Sequence, residues 1–401
     1  MEDLKVTAGG YDFAPAHAAM QRYVDGNILS GVSSAVLVGR DIVDLNFAGW
    51  ADKEAQIPIG ADHIFRVYSN TKLLTSCAAL LLFEEGRFGL DDPVEKFIPQ
   101  LGSRRVLRTG ATSIDDTEPA RSSITIRQLM SHSSGLSYGW FDPGTPIFTA
   151  YQERKVLSPF TPLSGMIDTL ADLPLVYHPG TSWQYSVATD VMGRLVEIIS
   201  GQSFDEFLQT RIFDTLGMVD TGFFVPEQSK NRLAGFYVGA DLMKPMEPGL
   251  TRNDNLPYPG AYLTPIPRLS GGGGLVSTLP DMVALMRSLL PGGPTLLKPE
   301  TIELMMTNQL PDNTWIRVAV VGELRGRGFG LAGARIVASS PFDHPNAADE
   351  FYWGGVGGTQ WWISPRTNSA GLMMTQRHMS FAHPFAAEFK RLTHEALARE
   401  R

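Results

Sequence analysis

The sequence predicts an α/β protein of the α+β type, with an antiparallel sheet flanked by helices and an inserted, mostly helical domain. Three observations carry this. Short β-rich segments stand at both ends of the chain, over 33–47 and 329–377, with turn residues between them. The middle of the chain is dense in Pro, Gly and short helical patches. Between the first strands and that middle section, residues 64–86 turn almost wholly apolar from Leu73 to Phe83, the pattern of a buried helix. The expected domains are 1–88 with 265–401 for the sheet, and 89–264 for the helical part. A site is expected between the two.

Composition narrows the class of function. The 401 residues are enough for a large core, and 43% hydrophobic with 19% charged is ordinary for a globular protein. A formal net charge of −8, with no basic cluster, disfavours nucleic acid. The single cysteine, Cys77, excludes an internal disulfide and falls among apolar residues, so a buried, inert thiol is expected. The first 17 residues include acidic side chains and no apolar core, and no apolar run reaches membrane-spanning length. The expectation is a cytoplasmic protein that meets neither membrane nor nucleic acid.

Along the chain, Ala19, Met20, Tyr23 and Val24 predict a helix over 15–26. Strands over 33–38 and 42–47 join at Gly39-Arg40-Asp41 as a hairpin. Residues 64–68 read as a short extended segment entering the central helix, which stops at Gly86. The first turn of that helix carries Ser69 and Lys72, polar groups that a buried helix avoids unless they are paired. Their spacing of three puts them on one face. The helix start adds free N–H groups and a positive dipole end beside the serine oxygen. A nucleophile, an amine to take its proton and oxyanion donors thus share one turn. Such a short pattern also arises by chance, so its company matters.

Helices are expected over 124–131, 192–200 and 204–216, with loops at 140–146 and 176–181. Tyr185 lies in Gly180-Thr-Ser-Trp-Gln-Tyr-Ser-Val187, ahead of a helix starting near Thr189. A loop tyrosine ordinarily packs its ring and wets its hydroxyl. To act as a base it needs a neighbouring cation, a part Lys72 can fill. The run Ser270-Gly-Gly-Gly-Gly-Leu275 lacks the Gly-Lys-Ser/Thr of a phosphate loop and reads as close backbone packing or a positive-φ turn. A helix follows over 280–290. Strands over 329–337, 350–356, 359–364 and 370–377 form an antiparallel meander, and an amphipathic helix over 384–399 ends the chain. Four glycines within Gly354-Gly-Val-Gly-Gly358 imply that packing or a substrate closely approaches a strand there.

Ser69-Asn-Thr-Lys72, Tyr185-Ser-Val187 and Trp353-Gly-Gly355, in this order, resemble the serine β-lactamase and penicillin-binding-protein superfamily. The likeness is to its class C β-lactamase-like branch, and within that to the family VIII carboxylesterases. Leu129-Met-Ser-His-Ser-Ser-Gly-Leu136 and Gly-Gly-Gly-Leu-Val-Ser-Thr278 with Asp281 also resemble stretches of that branch. The resemblance implies a serine β-lactamase-like fold and an acyl-enzyme on Ser69, with Lys72 and Tyr185 moving the proton. It also implies oxyanion N–H groups from Ser69 and Val356, substrate contacts from Trp353, Gly354 and Gly355, a small-molecule ester substrate and no cofactor. Two positions depart from the β-lactamase pattern: Trp353-Gly-Gly355 replaces Lys-Thr-Gly, and Val187 replaces an Asn. Both remove polar groups that hold a carboxylate-bearing amide, which turns the expectation toward esters. A β-lactamase, D-amino-acid peptidase, amide hydrolase or acyltransferase of the same fold is the alternative.

Gly135-Leu-Ser137-Tyr-Gly139 matches a different nucleophile motif, one that works only between a buried strand and a helix. Here a helical pattern precedes it and a loop follows, so Ser137 reads as an ordinary loop serine. The eight histidines are scattered without metal-binding spacing, and no metal is expected. His132, His178 and His378 receive no catalytic role. No dinucleotide fingerprint follows a strand.

Overall fold

The computed structural model describes residues 4–399 apart from 8, 141, 242–243 and 319–321. Its elements begin with helix α1 (Ala14–Asp25), strands β1 (Gly31–Val38), β2 (Asp41–Asp52) and β3 (Ile57–Pro58), and helix α2 (Thr71–Glu84). Helices α3 (Ala188–Ser200) and α4 (Leu279–Ser288) follow after the Pro- and Gly-rich stretch. Strands β4 (Arg327–Phe329), β5 (Ala334–Ile336), β6 (Phe351–Gly354), β7 (Gln360–Ser364) and β8 (Ser369–Met374) precede the last helix, α5 (Phe385–Ala398).

The eight strands form one sheet in the order β4-β5-β6-β7-β8-β1-β2-β3, every pair antiparallel. The two ends of the chain meet where β8 pairs with β1, from Ser33 opposite Met374 to Val38 opposite Ser369. Strand alternation explains how both faces are covered. Val32 and Val36 of β1 and Met373 of β8 pack with Met20 of α1 and Phe385 and Phe389 of α5. Ala35, Leu37, Leu372 and Met374 face the opposite way, into a core shared with Leu73 and Cys77 of α2 and Met282 of α4. A buried carboxylate also fixes α5: Glu350 accepts from Lys390 Nζ at 2.5 Å and from His394 Nε2 at 2.9 Å. Cys77 is fully buried, and burial raises its thiol to about 12.

Several elements differ from the sequence reading. Residues 329–337 are the hairpin β4–β5 rather than one strand. The Gly330 N–H bonds the Gly333 carbonyl and closes the turn, while apolar Leu331 and Ala332 mask it in the sequence. Strand β6 is an edge only at Trp353 and Gly354, because Phe351 and Tyr352 pair with β5. Helices Pro146–Glu153 and Pro299–Met306 were not expected, although each opens on a proline at its first turn. Leu163–Ala171 is a further unexpected helix, preceded by Pro162 at its N-cap. The 204–216 helix is continuous but carries a π turn at Gln209–Phe213. Small hairpins pair Arg105–Leu107 with Thr117–Pro119 and Tyr237–Gly239 with Leu250–Arg252. No helix among the described residues is long and apolar enough to cross a membrane.

Candidate active site

Ser69 belongs to a 3-10 turn, Tyr68–Asn70, and α2 starts only at Thr71. The sequence placed it inside the helix. Tyr68 adopts φ +44°, a left-handed conformation that a regular helix does not admit. The surroundings hold this turn in place. Thr359 Oγ1 donates to the Val67 carbonyl at 3.0 Å. A side chain at Gly355 would come within 2.4 Å of that same carbonyl, and one at Gly357 within 2.8 Å of the Tyr68 ring. At Gly355 and Gly357 the close approach inferred from the glycines after Trp353 is therefore made by the serine turn itself, while Gly354 faces Gln360 and Gly358 faces Thr375.

Lys72 lies on the same face one turn later, almost fully buried. Its ammonium donates to the Gly272 carbonyl at 2.5 Å and stands 3.2 Å from Ser69 Oγ. No carboxylate among the described residues pairs with it. The remaining stabilisation comes from the π faces of Tyr185 and Tyr138, whose ring centres are 4.6 and 5.7 Å away. The Tyr185 hydroxyl reaches Ser69 Oγ at 2.7 Å from the other side. One serine oxygen thus meets an ammonium and a phenol.

The Tyr185 loop is built to hold that position. The Gln184 N–H bonds the His132 carbonyl at 3.0 Å and the Val187 N–H bonds the Ser137 carbonyl at 3.1 Å. The ring stacks on Tyr138 at 5.5 Å and lies 5.3 Å from Trp353, whose indole N–H points at the phenol oxygen from 3.3 Å. A cavity of about 270 Å³ opens beside Ser69, lined by Tyr138, Trp140, Phe223, Tyr258, Tyr262 and Val356 among others. Its rim is apolar: Trp140 and Phe160 are exposed, and Phe160 lies against Tyr258.

Residues 16–395 match the family model described as Beta-lactamase. The chain belongs to the β-lactamase family. Protein Rv1367c of Mycobacterium tuberculosis (strain ATCC 25618 / H37Rv) is 34% identical, covering 90% of this chain and 88% of its own. Lovastatin esterase of Penicillium rubens is 30% identical over 83% of this chain and 84% of its own. Among solved structures, EstCE1, described as a hydrolase with promiscuous acyltransferase activity, superposes with a TM-score of 0.79. It covers 96% of this chain and 98% of its own at 23% identity, a likeness of fold. The protein is an enzyme of this family, a serine hydrolase by type.

In this β-lactamase-family chain Gly271, Gly272 and Gly274 are explained by proximity, since none of the run 271–274 has positive φ and a side chain at each of these three would meet a neighbour within 3 Å. A side chain at Gly271 would meet the Thr189 carbonyl at 2.6 Å, and one at Gly272 the Asp190 carboxylate at 2.7 Å. Asp190, which no sequence signal singled out, accepts from Ser270 Oγ at 2.6 Å and pairs with buried Arg268 at 3.4 Å. It ties down the loop whose carbonyl receives Lys72. Thr75 Oγ1 donates to the Gly271 carbonyl at 2.7 Å and fastens the loop to α2.

The structure gives the remaining candidates other surroundings. Trp353 and Gly354 are not among the residues lining the cavity, and a side chain at Gly354 would collide with Gln360. Val356 does line it, and its carbonyl accepts from the Ser380 N–H at 3.2 Å. Ser137 is buried in a loop, where its oxygen accepts from Gln184 Nε2 at 3.0 Å. His132 packs against Tyr185 at 4.9 Å and bonds Ser186 Oγ at 3.0 Å. Burial, then the Lys72 charge, push the imidazole well below the usual histidine range, so it stays neutral. His178 bonds Glu118 at 3.0 Å, and His378 packs on Phe236.

Proposed function

We propose that the chain is a serine carboxylesterase that hydrolyses short-chain carboxylic esters through an acyl-enzyme on Ser69. The observation that carries this reading is the double contact on Ser69 Oγ, 2.7 Å from the Tyr185 hydroxyl and 3.2 Å from Lys72 Nζ, beside an apolar cavity. Ser69 attacks the ester carbonyl as its proton enters the Lys72–Tyr185 pair, which accepts it in the form holding one proton fewer than ammonium plus phenol, as ammonium with phenolate or amine with phenol. Negative charge gathers on the carbonyl oxygen, facing the backbone N–H groups of Ser69 and Val356 near the start of α2. The proton then leaves with the alkoxide, and water repeats the sequence to free the acid.

Esters suit this site better than β-lactams. A β-lactam carries a carboxylate that gains from a fixed cation. Trp353 supplies none, and Arg268, the cation on the cavity wall, is already paired with Asp190. The test compares kcat/KM for a short-chain p-nitrophenyl ester and a cephalosporin in one buffer. The ester is expected to be far the better substrate, and a cephalosporin equal to it would replace the carboxylesterase reading with a lactamase. Transfer of the acyl group to an alcohol is the second reading, supported by the acyltransferase activity described for EstCE1. Added alcohol would then divert product from acid to a new ester.

A further inference from the structure

We propose that His132 is a positioning residue of the ester-cleaving site, holding the Tyr185 phenol against Ser69 through its ring and its bond to Ser186. This rests on the roles of Ser69, Lys72 and Tyr185 given above. Tyr185 lies in a loop, outside any helix or strand, so groups beyond the loop must fix its hydroxyl at bonding distance from the serine. The segment 132–137 does this along its length. The Ser133 carbonyl accepts from the Gly180 N–H at 2.8 Å, that of His132 from the Gln184 N–H at 3.0 Å and that of Ser137 from the Val187 N–H at 3.1 Å. His132 goes further, because it touches Gln184, Tyr185 and Ser186 in succession.

Its carbonyl receives Gln184, its imidazole centre lies 4.9 Å from the Tyr185 ring centre, and its Nδ1 stands 3.0 Å from Ser186 Oγ. The ring contact is closer than those of Trp353 at 5.3 Å and Tyr138 at 5.5 Å. At φ +57° the His132 backbone is left-handed, and in that conformation its carbonyl and its ring both reach the same loop. Ser186 Oγ also accepts from the Ala188 N–H at 3.3 Å, which ties the exit of the loop to the start of α3. The imidazole is itself held. Phe329 meets it edge to face at 5.3 Å, Trp183 does so at 6.2 Å, and the Tyr177 hydroxyl donates to its carbonyl at 3.1 Å. A ring buried this completely has no room to tilt, so its place sets that of the phenol. Because the imidazole stays neutral, it orients the phenol without repelling the Lys72 ammonium.

The experiment is a double-mutant cycle on the turnover of a short-chain p-nitrophenyl ester. His132→Phe keeps a ring beside Tyr185 and removes the bond to Ser186. It is expected to lower kcat by about ten- to a hundredfold. KM should stay within about twofold, because Tyr185 serves both acylation and deacylation. Added to Tyr185→Phe, the same change is expected to cost less than about threefold more, since no phenol hydroxyl is left to misplace. His132→Asn keeps a polar atom near the Nδ1 position and removes the ring, and it serves in the same cycle if the first variant fails to fold. Full kcat in a folded variant, a raised KM at unchanged kcat, or a loss that multiplies undiminished with that of Tyr185→Phe overturns the assignment. Turnover by Tyr185→Phe separates the two failures. If it is slow while the His132 variants run at the wild-type rate, this inference falls alone. If it matches wild type, the site reading falls and this inference with it.

Discussion

The Tyr185 hydroxyl stands 2.7 Å from the Ser69 oxygen across 116 residues of sequence. Lys72 approaches both, 3.2 Å from the oxygen and 4.6 Å from the centre of the phenol ring. Three groups in such contact are expected to act as a unit. Lys72→Ala and Tyr185→Phe should each lower kcat by about two to four powers of ten. The double variant should be little worse than either single one. Losses that multiply in steady-state kinetics would mean that the two side chains do not share one proton path.

Asp190 is expected to matter for stability and rate together. It is fully buried, pairs with Arg268 and receives the Ser270 hydroxyl. Asp190→Ala leaves a buried guanidinium without its carboxylate, a loss of roughly 3–5 kcal/mol for such a pair. It also frees the loop whose Gly272 carbonyl holds Lys72. Urea unfolding and ester turnover measure the two effects, and an Asp190→Ala protein as stable as wild type would show that the pair holds nothing in place.

Trp353 is expected to act through Tyr185 rather than as a wall of the substrate site. Its indole N–H faces the phenol oxygen at 3.3 Å. Trp353→Phe keeps most of the ring and removes that donor. The expected result is a kcat lower by about two- to tenfold, the worth of one ordinary hydrogen bond, with KM nearly unchanged. A raised KM at full kcat would return Trp353 to direct substrate contact.

Burial is the largest influence on Asp281 near the start of α4, pushing its carboxyl up to about 6, against hydrogen bonds from Thr221 and the Asp220 N–H. An acid with a raised folded pKa contributes stability below its unfolded value and loses it as pH rises through the folded one. Wild type is therefore expected to lose on the order of 2–3 kcal/mol relative to Asp281→Asn between about pH 4 and 6, then hold level. Thermal unfolding of both proteins across pH 4–8 checks this. A difference that does not change with pH would mean Asp281 is ionised equally in both states.

The sequence made the sheet readable because strands β1 and β2 and the 350–377 segments alternate or run apolar between clear turn residues. It made the three motifs readable because their residue types and order are specific together. What it hid were features without a local signal. Tyr68 is not a glycine, so its positive φ and the 3-10 turn it forces on Ser69 left no mark. Asp190 looks like any acid in a first helical turn, and only the fold brings it to the glycine run. The glycines after Trp353 signalled a close approach, but the identity of the approaching group at Gly355 and Gly357, Val67–Tyr68, is a tertiary fact.

The central claim is that Ser69 carries the acyl group. Peptide mass spectrometry of the wild-type enzyme after a fluorophosphonate or a slowly turned-over ester tests it most directly, with Ser69→Ala and Ser137→Ala as companions. One adduct is expected, on the peptide containing Ser69 and absent from Ser69→Ala. Ser137→Ala should still be labelled, because that hydroxyl only accepts a bond from Gln184 in a buried loop. An adduct on Ser137, or labelling that persists at another residue in folded Ser69→Ala, would contradict the account.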